Sequence, residues 1–186
     1  MLDCLSLGVA TLHVCTLYDT DMLHTRIISA RSRLEENMAD CVFCASTIPF
    51  APDSRFLVYE DDLVAASHMT TQKDPTTYLG HLVLQSKRHV RDFSGLTPTE
   101  AGAVGRAIQR LSAGVKATTA AENVYAVFFA EVVPHLHVLL TARYPKTPER
   151  YWRMNILEWP EAPRGDLTAV AALCERVRQS TATCQR

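Results

Sequence analysis

Two histidines, His135 and His137, stand two residues apart in "VVPHLHVLLTARYP", a run of otherwise apolar β-formers. Successive side chains of a strand point to opposite faces. His135, His137 and Leu139 therefore share one face, and Leu136, Val138 and Leu140 share the other. An apolar rear face that packs on a core would present the two imidazoles together. Earlier in the chain Cys41 and Cys44 form a C-x-x-C pair. That spacing lets two thiolates reach one tetrahedral Zn²⁺. A thioredoxin-like redox pair would want a strand before it and a helix after it. Here the pair is followed by "ASTIPFAP", whose prolines at 49 and 52 argue against a helix. Two more donors are needed, and His89, at the end of "QSKRHV", and His135 are the obvious candidates. A closed set of Cys41, Cys44, His89 and His135 would be structural rather than catalytic. It would leave His137 free for another task. The plainer alternative is two partly buried histidines that hydrogen-bond to backbone.

Strands must position these groups. Residues 56–59 ("FLVY") and 63–66 ("LVAA") read as strands joined by the acidic turn "EDD", and 78–86 ("YLGHLVLQS") reads as a third. Residues 123–132 and 135–144 read as two further strands. Between them lies a strong helix signal. Thr97 is a candidate N-cap, Pro98 suits the first helical position and Glu100 completes a capping box. Val104, Ala107, Ile108, Leu111 and Val115 make one apolar stripe. After a loop rich in proline and tryptophan, a last helix is expected near 165–180, capped by Asp166, with Val170, Leu173 and Val177 facing inward. This order of elements predicts an α+β fold.

The whole chain sets outer limits. At 186 residues and 47% hydrophobic it can bury one good core. A net charge of −1 supplies no field to attract nucleic acid or an anionic membrane. No apolar run reaches spanning length. The start, "MLDCLSLGVATLHVC", lacks a basic region and its apolar stretch is short, so no signal peptide and a cytoplasmic address are expected. The six cysteines are then not a disulfide framework. Residues 1–37 read as an N-terminal extension, with Met38 a candidate alternative start. Residues 38–145 read as the main domain, and 146–186 as a C-terminal loop and helix packed on it.

The blocks "CVFC", "VYEDDLVAAS", "YLGHLVLQSKRHVRDFSGLTPTE" and "VPHLHVLLTARY", spread in order over residues 41–145, resemble the histidine-triad (HIT) superfamily of nucleotide hydrolases and transferases. The tail "YPKTPERYWRMNILEWPEAPRG" is similar to that of bacterial members. The resemblance implies a half-barrel of antiparallel strands with one main packed helix, and a homodimer. It implies a covalent nucleotidyl intermediate on the middle signature histidine, which maps onto His137. It implies structural Zn²⁺ on Cys41, Cys44, His89 and His135, the same four that spacing suggests. His81 matches a further histidine near the site, and Glu131 falls in a segment that contacts phosphate. The implied ligand is a nucleotide-like or phosphorylated small molecule. The chain departs from the pattern at Leu139, where the third signature histidine belongs. It departs again at Ala130, Glu131 and Val132 in place of Gly-Gln-Ser/Thr, and at Met69 in place of a ribose-binding aspartate. These departures keep two alternatives open: a fold repurposed for another reaction in specialised metabolism, and a non-catalytic, zinc-stabilised nucleotide-binding protein.

Overall fold

The computed structural model describes residues 41–48, 50, 52–70, 76–129 and 131–183. The expected extension over residues 1–37 and the candidate start at Met38 lie outside the described residues. Within them a five-stranded antiparallel sheet forms from β1 (Leu57–Glu60), β2 (Val64–His68), β4 (His81–Ser86), β5 (Asn123–Phe128) and β6 (His137–Arg143), in the order β1-β2-β4-β6-β5. A small second sheet pairs β3 (Thr77–Tyr78) with β7 (Arg164–Gly165). Among the described residues three α-helices accompany the strands: the single turn α1 (Val42–Ala45), α2 (Pro98–Thr118) and α3 (Leu167–Thr183).

Period-two alternation divides the sheet into two apolar clusters. Val64 and Ala66 of β2, Leu82 and Leu84 of β4, and Val138, Leu140 and Ala142 of β6 join Ala103, Val104, Ala107, Leu111 and Val115 of α2 in the main core. Val170, Leu173 and Val177 of α3 enter the same core. The alternate residues face the other way. Val83 of β4 and Leu139 of β6 pack there with Cys41, Phe43, Phe50, Met69 and Val133. The register places Val83 opposite Leu139, and Gln85 opposite His137. This second face is where chemistry-bearing side chains collect.

Local signals explain the elements. Thr97 accepts from the Glu100 backbone at 3.3 Å while the Glu100 carboxylate accepts from the Thr97 N–H at 2.8 Å, the expected capping box. Such a cap contributes about 1 kcal/mol. Asp166 caps α3 through the Ala169 N–H at 2.8 Å. Asp61 makes the β1–β2 turn by accepting from the backbone of Leu63 and Val64.

Several boundaries differ from the sequence expectation. The strand expected over 78–86 is broken by a turn at Leu79 and Gly80, because Gly80 adopts φ +79°. A Cβ there would lie 2.9 Å from that of Ala142. The strand expected over 123–132 ends at Phe128, and the next begins at His137 rather than 135. The prolines after the C-x-x-C do not prevent a helical turn within it; α1 occupies 42–45 and stops at Ser46.

Candidate active site and metal centre

Cys41 and Cys44 flank the one helical turn of α1, and that turn brings both sulfurs to the same side. The Cys44 sulfur lies 3.1 Å from His89 Nδ1 and 3.6 Å from His135 Nδ1, and the Cys41 sulfur lies 3.4 Å from His135 Nδ1. All four donor atoms fall within 4.8 Å of one another. A tetrahedral cation with bonds of about 2.0 Å to nitrogen and about 2.3 Å to sulfur needs donor–donor edges of roughly 3.3–3.8 Å. Three of the edges, 3.1, 3.4 and 3.6 Å, lie close to that range, and the others, none above 4.8 Å, need only a small contraction. His135 is fully buried, and its Nε2–H donates to the Ser86 carbonyl at 2.8 Å. That bond fixes the tautomer and leaves Nδ1 as the donor atom, the usual support of a ligating imidazole. Desolvation, and then the hydrogen bond and charge of Cys41, push the Cys44 thiol up to about 11. Ionising both sulfurs at this spacing would therefore need a cation between them.

The His89 side chain hangs on a tethered segment. Its neighbour Arg88 makes two 2.7 Å bonds to the Glu100 carboxylate, and the guanidinium and the capping bonds hold that carboxyl down at about 2. The first turn of α2 thus anchors the backbone that carries His89.

His137 opens β6. Its Nδ1–H donates to the His135 carbonyl at 2.7 Å, so in the neutral ring the proton belongs on Nδ1 and the lone pair on Nε2. The Phe43 ring stacks on this imidazole at 4.6 Å between centroids, and lies 5.2 Å from the His135 ring. Phe43 is itself held by Gln85, whose amide donates to the Phe43 and Ser46 carbonyls at 3.1 and 3.0 Å. One short helical turn therefore supplies two metal-type ligands and the ring that packs on His137. Neither Phe43 nor Gln85 was singled out by the sequence. The signal that would have found Phe43 is its place inside the C-x-x-C.

Further along the same face, His81 of β4 pairs with Thr141 of β6. His81 Nδ1 and Thr141 Oγ1 are 2.9 Å apart, and burial pushes the imidazole down to about 4. His81 is neutral at physiological pH. Leu139 sits between His137 and Thr141 on β6. A cavity of about 50 Å³ opens beside it, lined also by Tyr125, Val127 and the segment Arg153–Leu157. Met69 packs in the apolar cluster with Phe43, Val83 and Leu139. Glu131 is exposed on the loop between β5 and β6, apart from the buried groups. His68, the remaining histidine of the sheet, faces the main core, where its Nδ1–H donates to the Met69 carbonyl and its Nε2 accepts from the Gly80 N–H.

The HIT domain family model matches residues 53–146, just over half of the chain. Among solved structures, the fold is similar to a Zn-bound histidine triad family protein from Mycobacterium smegmatis, with 18% identity and a TM-score of 0.56 over 79% of this chain and 96% of that one. It is similar to a hypothetical histidine triad nucleotide-binding protein from Sulfolobus tokodaii strain7, with 20% identity and a TM-score of 0.56 over 78% of this chain and 95% of that one. A Hit-like protein involved in cell-cycle regulation from Bartonella henselae, solved with an unknown ligand, gives 21% identity and a TM-score of 0.53 over 76% and 96% of the two chains. At these identities the likeness shows the fold alone. No curated protein matches the chain.

Proposed function

We propose, from the premise that the chain belongs to the HIT domain family, that it hydrolyses or transfers a nucleotidyl or related phosphoryl group through a covalent intermediate on His137. The observation that carries this reading is the 2.7 Å bond from His137 Nδ1–H to the His135 carbonyl. It holds the ring and selects the neutral tautomer whose lone pair is on Nε2, which is what a nucleophilic imidazole needs. Nε2 attacks phosphorus and a P–N bond forms. The bond from phosphorus to the leaving group breaks, and the leaving group departs with the electron pair. It takes up a proton unless it is stable as an anion. Water or a second acceptor then attacks phosphorus, its proton is released, and the P–N bond breaks to restore His137. His81 and Glu131 are assigned to the substrate side, His81 as a neutral hydrogen-bonding group and Glu131 as an exposed carboxylate that can turn from the phosphate.

Cys41, Cys44, His89 and His135 are assigned to one Zn²⁺. When bound, the ion serves as a structural staple. The His135 backbone, which it would immobilise, carries the carbonyl that orients His137. The ligand class is a nucleotide-like or phosphorylated small molecule, the assembly a homodimer and the address cytoplasmic. Among the described residues no helix is long and apolar enough to cross a membrane.

The test is a quenched single-turnover reaction with phosphorus-labelled nucleoside phosphoramidates, dinucleoside polyphosphates and nucleotide sugars, read by peptide mass spectrometry. Label on His137 is expected. His137→Ala is expected to lose at least about 1,000-fold in turnover while keeping its zinc. Full activity in that variant would show that His137 is not the nucleophile.

One observation favours a second reading, a fold repurposed for another reaction or for binding without turnover. Leu139 and Met69, at the positions where the family pattern has phosphate-side and ribose-side polar groups, pack together in an apolar cluster. Mass spectrometry of a co-purified ligand separates the two readings. A ligand without phosphorus favours the second.

A further inference from the structure

The cavity beside Leu139 contains one feature that the reading above does not use. Arg153 lines it together with His81 and Thr141. Its backbone sits in the left-handed region at φ 61°, which non-glycine residues rarely adopt. Such strain persists only where the surroundings over-determine it, and it clusters at ligand sites. The surroundings do so here. Trp152 is pinned by its ring N–H to the Thr147 carbonyl at 2.9 Å and by Arg143, whose guanidinium lies 4.8 Å over the ring. Ile156 and Trp159 are buried in the main core. Arg153 is thus presented between fixed anchors.

Its side chain is exposed and, among the described residues, makes no hydrogen bond, ion pair or ring contact. The contrast with Arg143 is informative, because that guanidinium is already neutralised by Glu122 at 2.8 Å. Among the described residues lining the cavity Arg153 carries the only fixed charge. His81 is neutral, and the remaining walls are apolar or hydroxyl-bearing. A guanidinium in such surroundings selects a planar or tetrahedral oxyanion, to which it can donate two hydrogen bonds. The cavity comes within one strand step of the attacking group, since Leu139 lines it. Thr141 is four residues beyond His137 on one strand face, with Leu139 midway, and each two-residue step is about 7 Å.

We infer that the Arg153–His81–Thr141 cavity is the subsite for an anionic, phosphate-bearing leaving group. The inference rests on the phosphoryl-transfer reading and narrows its substrate class. The side chain at 139 cannot donate a proton, so a leaving group already stable as an anion needs none. Arg153 supplies the charge that holds it. The substrate class is then a nucleotide joined to phosphate or pyrophosphate through an anhydride, rather than to an amine. The P–O anhydride bond breaks, and the departing phosphate keeps the electron pair on the oxygen that faces Arg153.

Two measurements on the full chain test this. In the first, inorganic pyrophosphate is titrated into wild type, Arg153→Gln, Arg153→Gly and, as a surface-charge control, Arg150→Gln. Arg153→Gly relaxes the left-handed backbone, so it reports loss of the guanidinium without added strain. Both Arg153 variants are expected to bind about 10- to 100-fold more weakly, and Arg150→Gln to bind like wild type. Unchanged binding in the Arg153 variants, equal loss in Arg150→Gln, or no binding by wild type would overturn the subsite. In the second, kcat/KM is compared for a dinucleoside triphosphate and a nucleoside phosphoramidate. The Arg153 variants should lose about 10-fold or more on the first and under about 3-fold on the second. Equal losses would overturn the specificity role. A chain that turns over neither compound refutes the phosphoryl-transfer reading, while the pyrophosphate titration still decides the subsite.

Discussion

Leu139 occupies the middle of the polar face of β6, between His137 and Thr141, and it packs against Val83, Met69 and Val133. An apolar side chain there removes one proton donor from the pocket, and a general acid contributes roughly 10²–10⁴ in rate. Leu139→His is therefore expected to raise turnover of a nucleoside phosphoramidate by about 10-fold or more, and to change that of an anhydride substrate little. Steady-state kinetics on the two substrates check this. A uniform loss in the variant would mean that packing, and not proton supply, is what Leu139 provides. Spacing put residue 139 on the face of the two histidines, and the resemblance marked its leucine as a departure. Its consequence was not, because the groups that surround it come from residues 69, 83, 133 and 153, which no local pattern connects.

At the scale of elements, the β2–β4 pairing is locked by a buried histidine. His68 donates to the Met69 carbonyl at 2.8 Å and accepts from the Gly80 N–H at 3.0 Å, so the imidazole bridges the end of β2 and the left-handed turn before β4. Burial pushes its pKa down to about 4 from the usual 6.5. The folded value lies below the unfolded one, so between those values the unfolded chain binds more protons. The neutral form's stability is fully present above about 6.5 and is lost as pH falls toward about 4, by about 3 kcal/mol. His81 shifts in the same direction. Replacing His68 by glutamine removes one of these contributions. Urea unfolding from pH 7 to 4 should show a steeper decline for wild type than for His68→Gln, and parallel curves would contradict the assignment. The sequence revealed these strands by alternation and α2 by its capping box. It concealed the break at Gly80, which is set by contact with Ala142 across the sheet. A one-sequence pattern carries no record of such a contact.

For the molecule as a whole, the cluster of Cys41, Cys44, His89 and His135 joins three distant stretches: the turn at Cys41–Cys44, the exit of β4 at His89 and the entry to β6 at His135. Its four members were legible in the sequence because C-x-x-C spacing and the resemblance selected the same residues. Phe43 and Gln85, which bind that turn to His137, were not, because stacking and amide bonds leave no spacing signature. One zinc per chain is expected by elemental analysis. Cys41→Ser should lose the metal and lower the thermal midpoint by about 10 °C or more, since a closed site contributes folding free energy directly. Wild type that contains no metal, or a variant that melts unchanged, would count against a structural ion. A related loss is expected on chelation of wild type, read together with a fall in turnover as the His135 carbonyl ceases to orient His137.

The order in which the ligands lie along the chain also has a consequence in time. Cys44 and His135 are 91 residues apart. A ribosome adds about 5–20 residues per second, so roughly 5–20 s separate the emergence of the thiol pair from that of the imidazole completing the set. Throughout that interval the nascent chain carries two neighbouring cysteines that can hold a cation only loosely and can oxidise to each other. The yield of metal-loaded protein should therefore depend on how reducing the surroundings are while the chain is being made, and much less on how reducing they are afterwards.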